Sequence, residues 1–220
     1  HDCKAEGSLG YVCTWRLALR IRRQTVALTK VQADGINLAD TFAYTGTVTG
    51  TQGLVKISST TVSSAVASVD LTGMSSTYDF YQCHFTLTPA TDNVNVFVRF
   101  IDSAGSALAG DVYGHGLINE GGGSLVGTNS ANTMEIASSV GSASNESMCG
   151  ALTIGPANST THPCSLYGQT TFINTSNNHQ GTVLMGGFKS GSFEAITGLH
   201  FKCSSGNIEA GTFTLYGVTK

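Results

Sequence analysis

The chain has 220 residues, of which 79 are Ser, Thr or Gly, and only 11% are charged, less than half of the usual share of about a quarter. A helical bundle needs far more Ala, Glu, Lys, Leu and Arg. Intrinsic disorder needs low hydrophobicity with high net charge, whereas here 40% is hydrophobic and the formal charge is −3. What remains is a β-rich protein of short strands and polar turns, with a surface coated in hydroxyls instead of charges.

Residues 1–30 hold six basic residues, among them Arg16, Arg20 and Arg22, against two acidic ones, while residues 31–220 hold five basic and twelve acidic. Trp15, Leu17, Leu19 and Ile21 alternate with basic or small residues. Period two predicts a strand with one basic face, a short helix being the competitor. The segment reads as a basic docking segment with solvated arginines, an acidic protein partner or nucleic acid being what the charge alone admits. Too few Lys and Arg follow Lys30 to build a nucleic-acid groove. No apolar run approaches the eighteen residues of a membrane span, so no membrane insertion is expected.

Residues 31–60 are punctuated by Gly35, Gly46, Gly50 and Gly53, with Ile36, Leu38 and Phe42 scattered between threonines. Such a segment cannot bury a core alone. It predicts an extended connector, running back over its own domain or wound with other copies of itself through Ile36, Leu38 and Phe42.

Residues 61–220 carry repeated strand patterns. Ala65, Ala67 and Val69 alternate with Val66, Ser68 and Asp70; Tyr81, Cys83, Phe85 and Leu87 with Gln82, His84 and Thr86. Val94, Val96, Val98 and Phe100 repeat the pattern before a turn over Asp102–Gly105. Further strands are expected around Leu166–Ile173, Val183–Phe188, Leu199–Cys203 and Phe213–Gly217, with a turn at Ser204–Asn207. The fold class is all-β, an antiparallel jelly-roll-like β-sandwich preceded by the connector. Residues 103–165, with Gly121–Gly123 and the serines of 138–147, predict long loops.

Of the six cysteines, Cys3 and Cys13, and Cys149 and Cys164, are close enough in sequence to pair by short loops. Cys83 and Cys203 fall in strand-like runs and are expected as buried free thiols. No pair has Cys-x-x-Cys spacing, and His84, His162, His179 and His200 lack ligand spacing, so no metal is expected.

Two segments carry a resemblance. One runs from Ser75-Ser-Thr-Tyr-Asp-Phe-Tyr through Pro89-Ala-Thr-Asp-Asn to Phe100-Ile-Asp-Ser-Ala-Gly. The other, residues 192–220, contains Ser205-Gly-Asn-Ile-Glu-Ala-Gly-Thr-Phe-Thr-Leu-Tyr-Gly. Together they resemble the C-terminal β-sandwich domain of tail-fibre and other virion structural proteins of tailed bacteriophages. Ala33-Asp-Gly-Ile-Asn-Leu through Gly50 resembles the connector that precedes such domains. In the terminal segment, Gly206 and Gly217 suit positions where a side chain would obstruct the backbone or demand an unfavourable φ. The resemblance implies a virion component, a tail-fibre or receptor-binding protein that attaches to the host surface, a host surface glycan included. A capsid decoration or head-fibre protein is the alternative, and an extracellular carbohydrate-binding protein or depolymerase the third. The resemblance fails over 103–165, so no ligand carries over.

Catalysis needs convergent reactive groups. His115, in Tyr113-Gly-His-Gly near Asp111 and Glu120, admits a hydrolytic or metal site, but a flexible polar loop is the plainer reading. No Gly-x-Ser-x-Gly elbow, His-Glu-x-x-His or phosphate loop occurs. With 14 acidic residues and one Trp, a glycosidase with paired carboxylates and sugar-stacking aromatics is poorly provided for. Neither catalysis nor a cofactor is expected. Tyr113, His115, Asn119 and Asn132 are the candidates for a receptor-binding loop surface, ordinary loop filler being the competing reading.

Overall fold

Alternation of apolar and polar side chains places each strand face. In Phe80–Pro89, Tyr81, Cys83, Phe85 and Leu87 are buried while His84 and Thr86 are exposed. In Val94–Ile101, Val94, Val96, Val98 and Phe100 turn inward in the same way. The computed structural model describes residues 53–119, 125–189 and 193–219. In chain order their strands are β1 Leu54–Val62, β2 Ser68–Thr72, β3 Phe80–Pro89, β4 Val94–Ile101, β5 Tyr113–Asn119 and β6 Leu125–Ala131. There follow β7 Met134–Val140, β8 Met148–Gly155, β9 Ser165–Ile173, β10 His179–Phe188, β11 Gly198–Cys203 and β12 Ile208–Val218. No helix occurs among the described residues.

The strands form an antiparallel β-sandwich. One sheet has eight strands in the order β1-β12-β3-β8-β9-β10-β5-β6; the other has four, β2-β11-β4-β7. Only β5–β6, β8–β9 and β9–β10 are hairpins within one sheet. Every other connection passes between the sheets. The small sheet lies with β2 against β1 and β12, and β7 against β5, β9 and β10.

Two aromatic clusters join the layers. Phe201 of the small sheet packs on Phe85 and Phe213 of the large one, with ring centroids 5.2 and 5.0 Å away. Phe100 of β4 meets Tyr113 and Phe188 at 5.8 and 5.3 Å. Aromatic pairs at such separations contribute beyond the area they bury. The turns follow local chemistry. The Asp102 carboxylate accepts from the N–H groups of Ala104 and Ser106 at 2.9 and 2.8 Å, an Asx turn. In the turn after Pro89, Asn93 takes φ 58°, a conformation that Asn tolerates.

Several expectations are corrected. The large sheet starts at Leu54, so 54–60, the end of the stretch read as connector, form most of edge strand β1, paired with β12. The rest of that stretch, with Ile36, Leu38 and Phe42, and the leader with Arg16, Arg20 and Arg22 lie outside the described residues. Ala65 and Ala67 are exposed and precede β2, in which Val69 and Leu71 are buried. Residues 103–165 hold four strands, β5 to β8, in place of long loops. Glycines hid them. In β8, Met148, Leu152 and Ile154 point inward, and the gap in the pattern at Gly150 is filled by the Phe85 ring, 2.6 Å from where a Cβ would stand.

Cys149 and Cys164 are both free. Cys149 lies opposite Thr171, whereas Cys164 precedes Ser165, which lies opposite Gly155. The two cysteines therefore sit at opposite ends of a hairpin, about 20 Å apart at roughly 3.3 Å per residue, where a disulfide needs Cα atoms within about 7 Å. Cys83 and Cys203 are buried free thiols. Gly206, at φ 69°, has the Thr91 side chain where its Cβ would stand, and a Cβ on Gly217 would enter the Tyr78 ring.

Candidate functional site

The outer face of the eight-stranded sheet is built by register. His84 of β3 lies opposite Ala151 of β8, Ala151 opposite Gln169 of β9, Gln169 opposite Val183 of β10, and Val183 opposite Ile118 of β5. The next row runs Lys56 of edge strand β1, Tyr216, Gln82, Thr153, Tyr167 and Met185. On the other side lie Thr212, Thr86, Cys149 and Thr171. All these side chains point away from the core, because their strand neighbours point into it.

Ala151 is the smallest side chain in its row, so the face dips there. One hollow of about 590 Å³ opens over Ala151 and Gly150, rimmed by His84, Thr86, Cys149, Gln169, Thr171 and Thr214. A second, of about 400 Å³, is lined by Tyr167, Gln169, Val183 and Met185. Both share Ala151 and Gln169, so together they form one trough. Each volume falls in the range of small-ligand sites.

The trough has an apolar end and a hydroxyl end. At the apolar end Tyr167 is 60% exposed and Met185, its cross-strand neighbour, 55%. Val183 and Ile118 extend this patch. At the hydroxyl end Thr86 Oγ1 accepts from the N–H of Thr212 at 3.1 Å. Thr171 donates to the carbonyl of Gln180 at 3.0 Å and lies 3.1 Å from His179 Nε2. His84 stands edge-on to Tyr216 at 5.8 Å. No Lys, Arg, Asp or Glu lines either hollow. Among the described residues the Gln169 side-chain amide has no hydrogen-bond partner, which leaves a donor and an acceptor at the centre of the trough.

The four receptor-loop candidates do not form a common surface. Tyr113 is fully buried at the start of β5, which corrects its reading as a loop residue. Its hydroxyl accepts from the N–H of Phe100 at 3.0 Å and donates to the carbonyl of Leu108 at 3.1 Å. Burial pushes the phenol up to about 12. His115 belongs to β5 rather than to a flexible loop and lies between Thr128 of β6 and Gly186 of β10. Its Nδ1 is buried without a partner, and desolvation holds the ring's pKa below the ordinary histidine value. Asn119 closes β5 opposite Thr182, at the far end of that strand from Tyr113. Asn132 is exposed between β6 and β7, where its carbonyl accepts from Arg99 Nε at 2.9 Å.

Sequence reasoning passed over the residues that meet in the trough. A signal was there: with Leu166, Thr170 and Phe172 inward, Tyr167 and Gln169 must point out. Among the described residues no group of three or more His, Cys, Asp and Glu converges. No family profile, no curated protein and no solved structure matches this chain.

Proposed function

We propose that the protein is a bacteriophage virion structural protein, a tail-fibre or receptor-binding component that attaches to the host surface. The observation that carries this reading is the broad outer face of the eight-stranded sheet, whose trough offers aromatic, amide and hydroxyl groups and no formal charge. Such a face acts by shape and valency, not by turnover. The likeness of 75–105 and 192–220 to phage virion sandwiches supports the same reading, and so does a surface kept soluble with few charges. The working assembly is a homotrimer held by the connector and docked to other virion proteins through the basic leader.

The test uses the full chain. Labelled protein should adsorb to host cells, and antibody against it should decorate the tail in electron micrographs. Antibody at the capsid face would overturn the assignment in favour of a capsid decoration or head-fibre protein, a reading that the basic residues of 1–30 favour as a dock for an acidic shell. Release of new reducing ends from host envelope polysaccharide would overturn the proposal of binding without catalysis.

A further inference from the structure

The geometry points to a ligand class for the trough: we infer that it binds neutral glycans, with the sugar's C–H face on Tyr167 and its hydroxyls turned to Gln169 and the threonine rim. This rests on the attachment reading and adds the chemistry of what is held. A pyranose presents a weakly polar C–H face and an edge of hydroxyls that each donate and accept. The trough presents the matching pair. Tyr167 and Met185 make an exposed apolar end, while Gln169 supplies an unpaired amide with both donor and acceptor. Thr86, Thr171 and Thr214 add hydroxyl oxygens along the other end. The two hollows adjoin at Ala151 and Gln169, so a ligand that spans both meets the apolar end and the hydroxyl end together.

Charge decides between sugar classes. With no Lys or Arg in the lining, a uronic or sialic acid would lose water around its carboxylate and gain no cation in return. A neutral sugar makes no such demand. Cys149, an exposed thiol on the rim, is a built-in reporter of occupancy.

The experiment applies the full chain to arrayed neutral, sialylated and uronic-acid glycans, beside Tyr167→Ala, Ala151→Trp and Lys202→Ala. The expected result is selective binding of neutral glycans. It should weaken about tenfold or more on removing the platform or filling the floor, with thermal midpoints unchanged, and hold in Lys202→Ala. Bound neutral glycan should also slow maleimide labelling of Cys149, read by peptide mass. Selective binding of acidic glycans, absence of neutral-glycan binding, or binding indifferent to both trough substitutions would overturn the inference. So would a change in sedimenting copy number on Tyr167→Ala, which would make the face a contact between copies. Host adsorption that survives both substitutions and competition by neutral glycan overturns the inference and leaves attachment standing. Neutral-glycan binding without host adsorption does the reverse.

Discussion

Tyr113→Phe separates a residue that holds the fold from one that meets a ligand. The substitution keeps the ring, which stacks on Phe188 with centroids 6.2 Å apart and meets Phe100 at 5.8 Å. It deletes only a hydroxyl that accepts from the Phe100 N–H and donates to the Leu108 carbonyl. The Phe100 N–H would then sit in the core without a partner, since the Phe100 side chain is fully buried and no water replaces the phenol without opening the layer. A buried donor left unpaired costs about 1–3 kcal/mol. For a domain of this size each kcal/mol lowers the melting midpoint by roughly 2–4 °C, so a loss near the middle of that range shifts it by about 4–8 °C. Urea denaturation followed by circular dichroism reads the same loss as a lower midpoint with an unchanged slope. Host adsorption measured below the melting range should be unaltered. A variant with wild-type stability, or one that keeps its stability and loses adsorption, would refute the assignment of Tyr113 to the core.

Phe201→Ala should cost about 3–5 kcal/mol, because it empties the space between Phe85 and Phe213; urea titration checks this, and a loss under about 1 kcal/mol would contradict it. Gly206→Ala should lose about 1–3 kcal/mol, from the left-handed φ of 69° and the contact with Thr91, and a neutral effect would mean that the turn rearranges. Among the described cysteines, Cys149 alone should react with maleimide in the native protein, with Cys83, Cys164 and Cys203 following only on unfolding. The three buried thiols also set a pH dependence. Burial raises Cys83 and Cys164 from 9.0 to about 12 and Cys203 to about 11. The folded state therefore holds protons that the unfolded chain releases, and stability should be full below pH 9 and fall as pH rises from 9 towards 12. Urea midpoints across that window test this, and Cys83→Val should flatten the slope.

The legible part of the fold is the part with uninterrupted alternation. Strands β3, β4 and β11, and β12 from Phe213 onward, show apolar residues or glycine at every second position and bury that face. The illegible part is β5 to β8, and in β5, β6 and β8 glycine stands in the ladder. In Tyr113-Gly-His-Gly-Leu the inward residues Tyr113 and Leu117 flank a histidine, and both intervening positions are glycine. Glycine ordinarily punctuates a chain, so the segment read as a loop. Its strand character comes from partners far along the sequence, β10 on one side and β6 on the other. A pattern scan sees neither.

The trough stays illegible for a related reason. Expecting function in loops presumes that the loops are free and the sheet faces covered. Here the turns at Asp102 and Asn174 spend their side chains on their own backbone: Asn174 Oδ1 accepts from Ser176 and Asn178, both at 3.0 Å. The outward polar groups that concentrate lie on the large sheet, with the Gln169 amide free among them. Threonine is the link between composition and that surface. It favours strands because its branched β-carbon suits the pleat, and it leaves a hydroxyl on whichever face points outward. Thr61, Thr86, Thr212 and Thr214 all stand on the outer face of β1, β3 and β12. A high threonine count with few charges therefore encodes more than polar turns: in an antiparallel sheet it writes a sparsely charged, hydroxyl-bearing wall, and Tyr167 and Gln169 turn one uncharged stretch of that wall into a place where a neutral polar ligand fits.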